Sequence, residues 1–233
     1  LVSAVLFEDS RIVPGLPALA AACAEARAEL LVDAYHALGC VPFTVAGLEG
    51  AWIVGGGYKY LQLGEGNCFL RLPPQAEELR PAITGWFAEF EELQAAPEPG
   101  TTRYARGSMR FAGSTYDPTS HYRAARVLDF FEEQGMTAER LRESYLQQTT
   151  LLAGRFDELG LDDVTRDGET PLDAFGGFLA LESERAEELS RRLLDAGVVT
   201  DSRGRYLRLG PAPYHSDEQL AEAVEQLGRA ARS

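Results

Sequence analysis

Apolar positions along the chain follow two rhythms. Short, nearly unbroken runs occur at "VSAVLFE" (2–8), "LLVDAY" (30–35), "AWIVGGG" (51–57) and "CFLRL" (68–72). Runs of this kind, rich in β-branched residues and leucine, predict strands of a mostly parallel sheet covered on both faces. Between the first two lies "GLPALAAACAEARAE", whose small and apolar residues predict the helix that covers such a sheet.

The second rhythm begins after "QAAPEPGTTRYARGSMRFAG" (94–113), where Pro, Gly and Thr predict an irregular surface or subunit-contact segment. Helical spacing follows over 119–135, with Thr119 and Ser120 as candidate caps. It returns over 137–160, opening on Thr137 with Arg140 where a capping box has Glu. The tail reads strand "GGFLALES", helix "ERAEELSRRLLDAG", strand "VVTDS", a turn at Arg203-Gly204, strand "YLRLG", and a last helix from Ser216 with Glu218 in its first turn. These elements predict an α/β protein in two parts, a larger one over 1–140 and a smaller C-terminal α/β domain over 141–233.

Composition supports a packed protein. At 233 residues, with 45% apolar and 25% charged, the chain matches the averages for soluble globular proteins. No run approaches the ~18 apolar residues of a membrane span. A formal charge of -14 opposes binding to nucleic acid or to anionic membranes. Cys23, Cys40 and Cys68 are odd in number and widely spaced, which predicts three reduced thiols in the core of a cytoplasmic protein, with neither disulfides nor a structural metal site. The chain opens at Leu1 on an apolar strand, with no initiator Met and no signal-peptide pattern, so we expect further sequence to precede it.

One residue stands out chemically. Of the 22 Lys and Arg residues only Lys59 is a lysine, leaving 21 arginines. An arginine cannot lose its proton at useful pH, whereas a lysine amine can be tuned by burial and neighbouring cations into a nucleophile for carbonyl carbon. The glycines near Lys59 do not make a phosphate loop: no Gly-Lys-Ser/Thr opens a helix, and Gly64 and Gly66 have no helix after them. Gly55, Gly56 and Gly57 instead end a strand and admit something flat or bulky close to the backbone. Asp33 and His36 follow the preceding strand. Because ligands of α/β sheets collect at the carboxyl ends of strands, Asp33 and Lys59 are expected to converge on one cleft. A lysine and a carboxylate in one cleft suit a pyridoxal phosphate enzyme, the carboxylate keeping the ring nitrogen protonated. Two ligands for a metal, Asp33 and His36, are the weaker alternative.

"VDAYHALG" followed by "GGGYKYLQLGEG" resembles the cofactor region of fold type I pyridoxal phosphate enzymes of the class V aminotransferase superfamily. The Tyr-Lys-Tyr-Leu core is closest to kynureninase. The likeness continues through "TGWFAEFEEL", "RFAGSTYDPTSHYRAA" and "YLRLGPAPYHSDEQL". It implies a fold type I transferase fold whose large domain is present only in its later part. It implies Lys59 as the Schiff-base lysine and Asp33 as the partner of the pyridinium nitrogen. His36 then contacts the cofactor, while Tyr58 and Trp86 lie near its phosphate. Thr115 is implied as a contribution from the neighbouring subunit of a homodimer. Arg208 matches the arginine that holds the substrate's α-carboxylate, a task its planar fork suits on chemical grounds alone, with Pro211 and Pro213 stiffening the segment after it. Gln62 stands where kynureninases usually have Asn, a departure that leaves room for a shifted substrate.

The activity so implied is hydrolysis of the Cβ–Cγ bond of kynurenine to anthranilate and alanine. Another class V activity on an amino acid, such as transamination, shares every residue named. A cysteine desulfurase is disfavoured because no cysteine reads as lying on a mobile loop. A non-catalytic truncated homologue serving as a dimer partner is the third alternative.

Overall fold

The computed structural model of the protein describes residues 1–92 and 99–232. Its first sheet runs in the order β1 (Val2–Ser3), β2 (Leu31–Asp33), β3 (Trp52–Gly56) and β4 (Cys68–Arg71). The first three strands are parallel and β4 pairs antiparallel to β3, with Gly56 opposite Cys68. Helix α1 (Leu16–Glu25) connects β1 to β2 and sets Leu16 against a core that includes Val5, Val32 and Ile53. Each such fully buried aliphatic side chain contributes about 1.5–3 kcal/mol relative to exposure.

Strand β1 is shorter than its apolar run. After Ala4 the chain turns back so that Val5 bridges Ile12, which leaves Leu6 and Phe7 exposed. The expectation of three core thiols holds for Cys40 alone: Cys23 is half-buried, and Cys68 opens β4, whose first three residues are exposed.

The second sheet is antiparallel, in the order β5 (Leu179–Glu182), β7 (Tyr206–Leu209) and β6 (Asp201–Arg203). Helices α3 (Ala138–Leu159), α4 (Ala186–Asp195) and α5 (Asp217–Arg232) enclose one core with it, built from Leu152, Leu181, Leu189, Leu193, Leu207 and Leu227 among others. Because side chains alternate along a strand, Leu207 and Leu209 enter this core and Arg208 leaves on the opposite face.

Helix ends follow side-chain chemistry. Thr137 accepts the Arg140 backbone N–H and caps α3, which stops at Gly160 in the left-handed region. Ser216 and Gln219 form a reciprocal capping box for α5. At α2 (Thr119–Glu133) the expected caps are replaced by Asp117, which accepts from both the backbone N–H and the hydroxyl of Thr119. Only Ala124 of α2 is buried. Of the segment expected to be irregular, 94–98 lie outside the described residues, and Gly107–Phe111 form a short 3-10 helix.

Candidate active site

Parallel pairing of β2 with β3 puts their carboxyl ends on the same edge of the sheet, where Asp33 closes β2 opposite Val54. Past β3 the chain makes a tight loop, closed by Leu63 N–H to Gly57 O at 2.7 Å and Gln62 N–H to Lys59 O at 3.0 Å. The glycines are needed for close approach, but the close groups are the protein's own. A Cβ on Gly56 would lie 2.5 Å from the Tyr35 ring, and one on Gly57 would lie 2.5 Å from Leu63. This packing holds the loop that presents Lys59.

Lys59 lies between two hollows. A cleft of about 330 Å3 is walled by His36, Lys59, Phe178, Asp201 and Arg208. On the other side, Tyr58, Lys59, Gln62, Tyr145 and Pro211 border a space of about 440 Å3. Burial depresses the Lys59 pKa, the nearby charges of Arg208 and Arg203 push it the same way, and the Asp33 carboxylate opposes them. His36 is driven down to about 4 by burial, then by Lys59 and Arg208, against the pull of Asp33. Around neutral pH the imidazole is therefore uncharged, and Lys59 releases its proton more readily than an ordinary lysine.

Asp33 accepts the Tyr35 backbone N–H at 2.9 Å, which fixes the carboxylate at the strand end. Tyr58 is half-exposed, its ring 5.6 Å from that of Tyr35 and 5.2 Å from Lys59 Nζ. Arg208 arrives from β7 of the second sheet. Its guanidinium donates to the Asp201 carboxylate and to the Phe7 carbonyl, and stacks 5.2 Å over the Phe178 ring. Asp33, His36, Tyr58, Lys59 and Arg208 thus gather in one region.

Trp86 and Thr115 are brought together elsewhere. Trp86 opens a 3-10 stretch, its ring edge-on to that of Phe87, and Phe87 N–H reaches Gly113 O at 3.3 Å, two residues before Thr115. Both residues are exposed, and neither borders the space around Lys59 in this chain.

Sequence reasoning missed four residues here. Tyr60 is half-buried, edge-on against Tyr145 at 5.3 Å, and desolvation raises its phenol pKa. Tyr35 lies under Gly56 with its pKa raised to about 12 by Cys68 and by burial. Phe178 and Asp201 complete the wall beside Arg208. The signal for Asp201 was available, because a hairpin turning at Gly204 pairs Asp201 with Arg208. Among the described residues no group of three or more His, Cys, Asp or Glu side chains could hold a metal ion, and no helix is long and apolar enough to cross a membrane.

No protein-family model matches the chain. Among curated proteins it is similar to the Bacillus subtilis protein named uncharacterized aminotransferase YcbU, 26% identical over 199 residues, 85% of this chain and 50% of that protein. It is also similar to kynureninase of Pseudomonas fluorescens, 27% identical over 220 residues, 91% of this chain and 51% of that enzyme. The chain spans about half the length of the curated relatives it matches. Among solved structures, the apo cysteine desulfurase of Thermococcus onnurineus NA1 superposes with a TM-score of 0.82 at 14% identity, over 99% of this chain and 59% of that one. A mutant of C-DES with glycine covalently linked to its PLP cofactor gives 0.81 at 17%, over 97% and 59%. The fold is therefore that of the fold type I transferases, represented here by part of the large domain and a small α/β unit.

Proposed function

We propose that this chain is the lysine-bearing part of a pyridoxal 5'-phosphate enzyme that acts on an amino acid, with a kynureninase-like hydrolysis as its reaction. The observation that carries the reading is that Lys59 and Arg208, contributed by two sheets, wall one cleft, with the Asp33 carboxylate close enough to act on the Lys59 amine. The donor set fits the cofactor: an amine with a depressed pKa, an anion that draws positive charge towards it, and a guanidinium 201 residues from the Phe7 carbonyl that it bonds. When bound, pyridoxal phosphate supplies an aldehyde for an amine to hold and a ring that accepts electrons from the substrate's Cα.

The roles follow from the side chains. Lys59 holds the cofactor and, once its amine is free, takes and returns a proton at Nζ. Asp33 keeps the ring nitrogen cationic. His36, neutral, contributes shape and a hydrogen-bonding nitrogen without adding charge beside Lys59. The Tyr58 hydroxyl is available to the phosphate. Arg208 binds the α-carboxylate. Trp86 and Thr115, exposed and away from Lys59, suit contributions to the cleft of a second subunit in a homodimer. The net reaction is kynurenine plus water to anthranilate plus alanine, carried out in the cytoplasm.

The likeness to an aminotransferase, at nearly the same identity as that to kynureninase, supports transamination as a second reading. The test uses the natural gene product that carries this chain. With pyridoxal phosphate it should develop visible absorbance that Lys59→Ala removes, and kynurenine should then release fluorescent anthranilate. Keto acid in place of anthranilate favours transamination, and absence of the Lys59-dependent absorbance rejects both readings.

A further inference from the structure

Arg208 is held on three sides. The Asp201 carboxylate and the Phe7 carbonyl each accept one guanidinium N–H, and the Phe178 ring lies 5.2 Å beneath. A guanidinium has five N–H donors in one plane, so donors remain for a further acceptor in that plane. Asp201 is itself anchored: its second oxygen meets Arg203 at 3.2 Å, and its backbone pairs with Arg208 across the β6–β7 ladder. Arg208's side chain is 13% exposed and Asp201's is 44%, so the acid stands on the solvent side of a cation that is otherwise enclosed. A buried cation keeps one orientation only where charged or strongly polar partners define it. Both residues border the cleft that contains Lys59.

We propose that Asp201 is a positioning residue for amino-acid substrates: by fixing the plane and register of the Arg208 guanidinium, it aims the remaining N–H donors at the substrate's α-carboxylate. The inference rests on the proposed function. It adds that the carboxylate clamp is an Asp201–Arg208 unit, set by the register of one hairpin, rather than a lone arginine. The ligand class is an α-amino acid with a free carboxylate, and an α-amide analogue gains nothing from the unit.

The test compares Asp201→Ala, Asp201→Asn and Asp201→Glu in the natural gene product loaded with pyridoxal phosphate. Losing a hydrogen bond to a charged group predicts a KM for the amino acid raised about tenfold or more in Asp201→Ala. The kcat should stay within about threefold, since Asp201 acts on carboxylate binding through Arg208 and not on the reacting bonds. Asp201→Asn keeps the shape and an acceptor and should fall between Asp201→Ala and wild type; it carries the test if Asp201→Ala does not fold. Asp201→Glu should recover part of the loss. In a Lys59→Ala background, which removes the amine that moves the substrate's proton and so stops turnover, calorimetric binding of the amino acid should weaken by the same factor while that of its α-amide does not change. Unchanged KM and unchanged binding in a variant with normal absorbance overturn the role of Asp201 alone. Absence of Lys59-dependent absorbance in the wild type overturns the proposed function and this role with it.

Discussion

Lys59 and Arg208 share the wall of one cleft although they come from different sheets, and the guanidinium charge helps to hold the amine below the ordinary lysine pKa. Burial is the larger cause and Arg208 the second, so removing the guanidinium should restore part of the shift. In cofactor-free protein, Arg208→Gln should move the pH midpoint of amine labelling at Lys59 upward, because the ammonium no longer faces a like charge. Labelling read by mass spectrometry checks this, and an unmoved midpoint would show that the two groups are not coupled. With cofactor present, the same variant should raise the KM for an amino acid by about 10–100-fold.

His36 gives a pH signature of its own. Its pKa falls from 6.5 in the unfolded chain to about 4 in the fold, chiefly through burial. Between those values the unfolded chain binds a proton that the native state refuses, so stability declines as pH drops from 6.5 towards 4 and gains nothing from His36 above that window. An NMR titration should place the imidazole midpoint near the lower figure. His36→Gln should flatten the pH dependence of urea unfolding over the same interval.

Much of this region was legible in the sequence because its signals were local. The runs ending at Asp33 and Gly57 read as neighbouring parallel strands, and neighbouring parallel strands deliver their ends to one edge. A solitary lysine after such a strand needed no tertiary knowledge to attract notice. Thr137 was legible as a cap for the same reason, since its partner is three residues away. The Asp117 cap was missed because Thr119 and Ser120, both acceptable caps, stood just after it. Asp201 was missed because its meaning lies across a hairpin. Phe178 and the Phe7 carbonyl were missed because they come from segments far apart in the chain, and apolar patterning does not say which side chain will lie under a guanidinium.

The loop itself carries a testable strain. Gln62 has φ 55, in the left-handed region where Asn is tolerated better than Gln, so the usual Asn of kynureninases at this position has a backbone rationale. Its side chain lies near the Tyr145 hydroxyl and lowers that phenol's pKa, but Gln62 is exposed and the contact contributes little. Gln62→Asn should leave stability within about 0.5 kcal/mol of wild type, whereas the β-branched Gln62→Val should cost about 1–2 kcal/mol. Chemical denaturation of the pair separates backbone strain from loss of the side-chain contact, since strain predicts that Val alone is harmed.

Gly177 offers a way to disturb the site without touching any group assigned to chemistry. A Cβ there would lie 2.6 Å from the Tyr60 ring and 3.1 Å from the Cys40 side chain. The ring cannot retreat easily, because Tyr145 meets it edge-on at 5.3 Å and the Tyr60 backbone lies against Gly39, where an added Cβ would come within 2.8 Å of it. Gly177→Ala should therefore cost about 1–3 kcal/mol by overpacking. Any displacement of Tyr60 is passed to its chain neighbour Lys59. In the natural gene product the variant should thus lose kcat by more than its remaining folded fraction explains, and Lys59-dependent absorbance should weaken. Full activity per folded molecule would show that Tyr60 does not support the position of Lys59, leaving its burial a matter of packing alone.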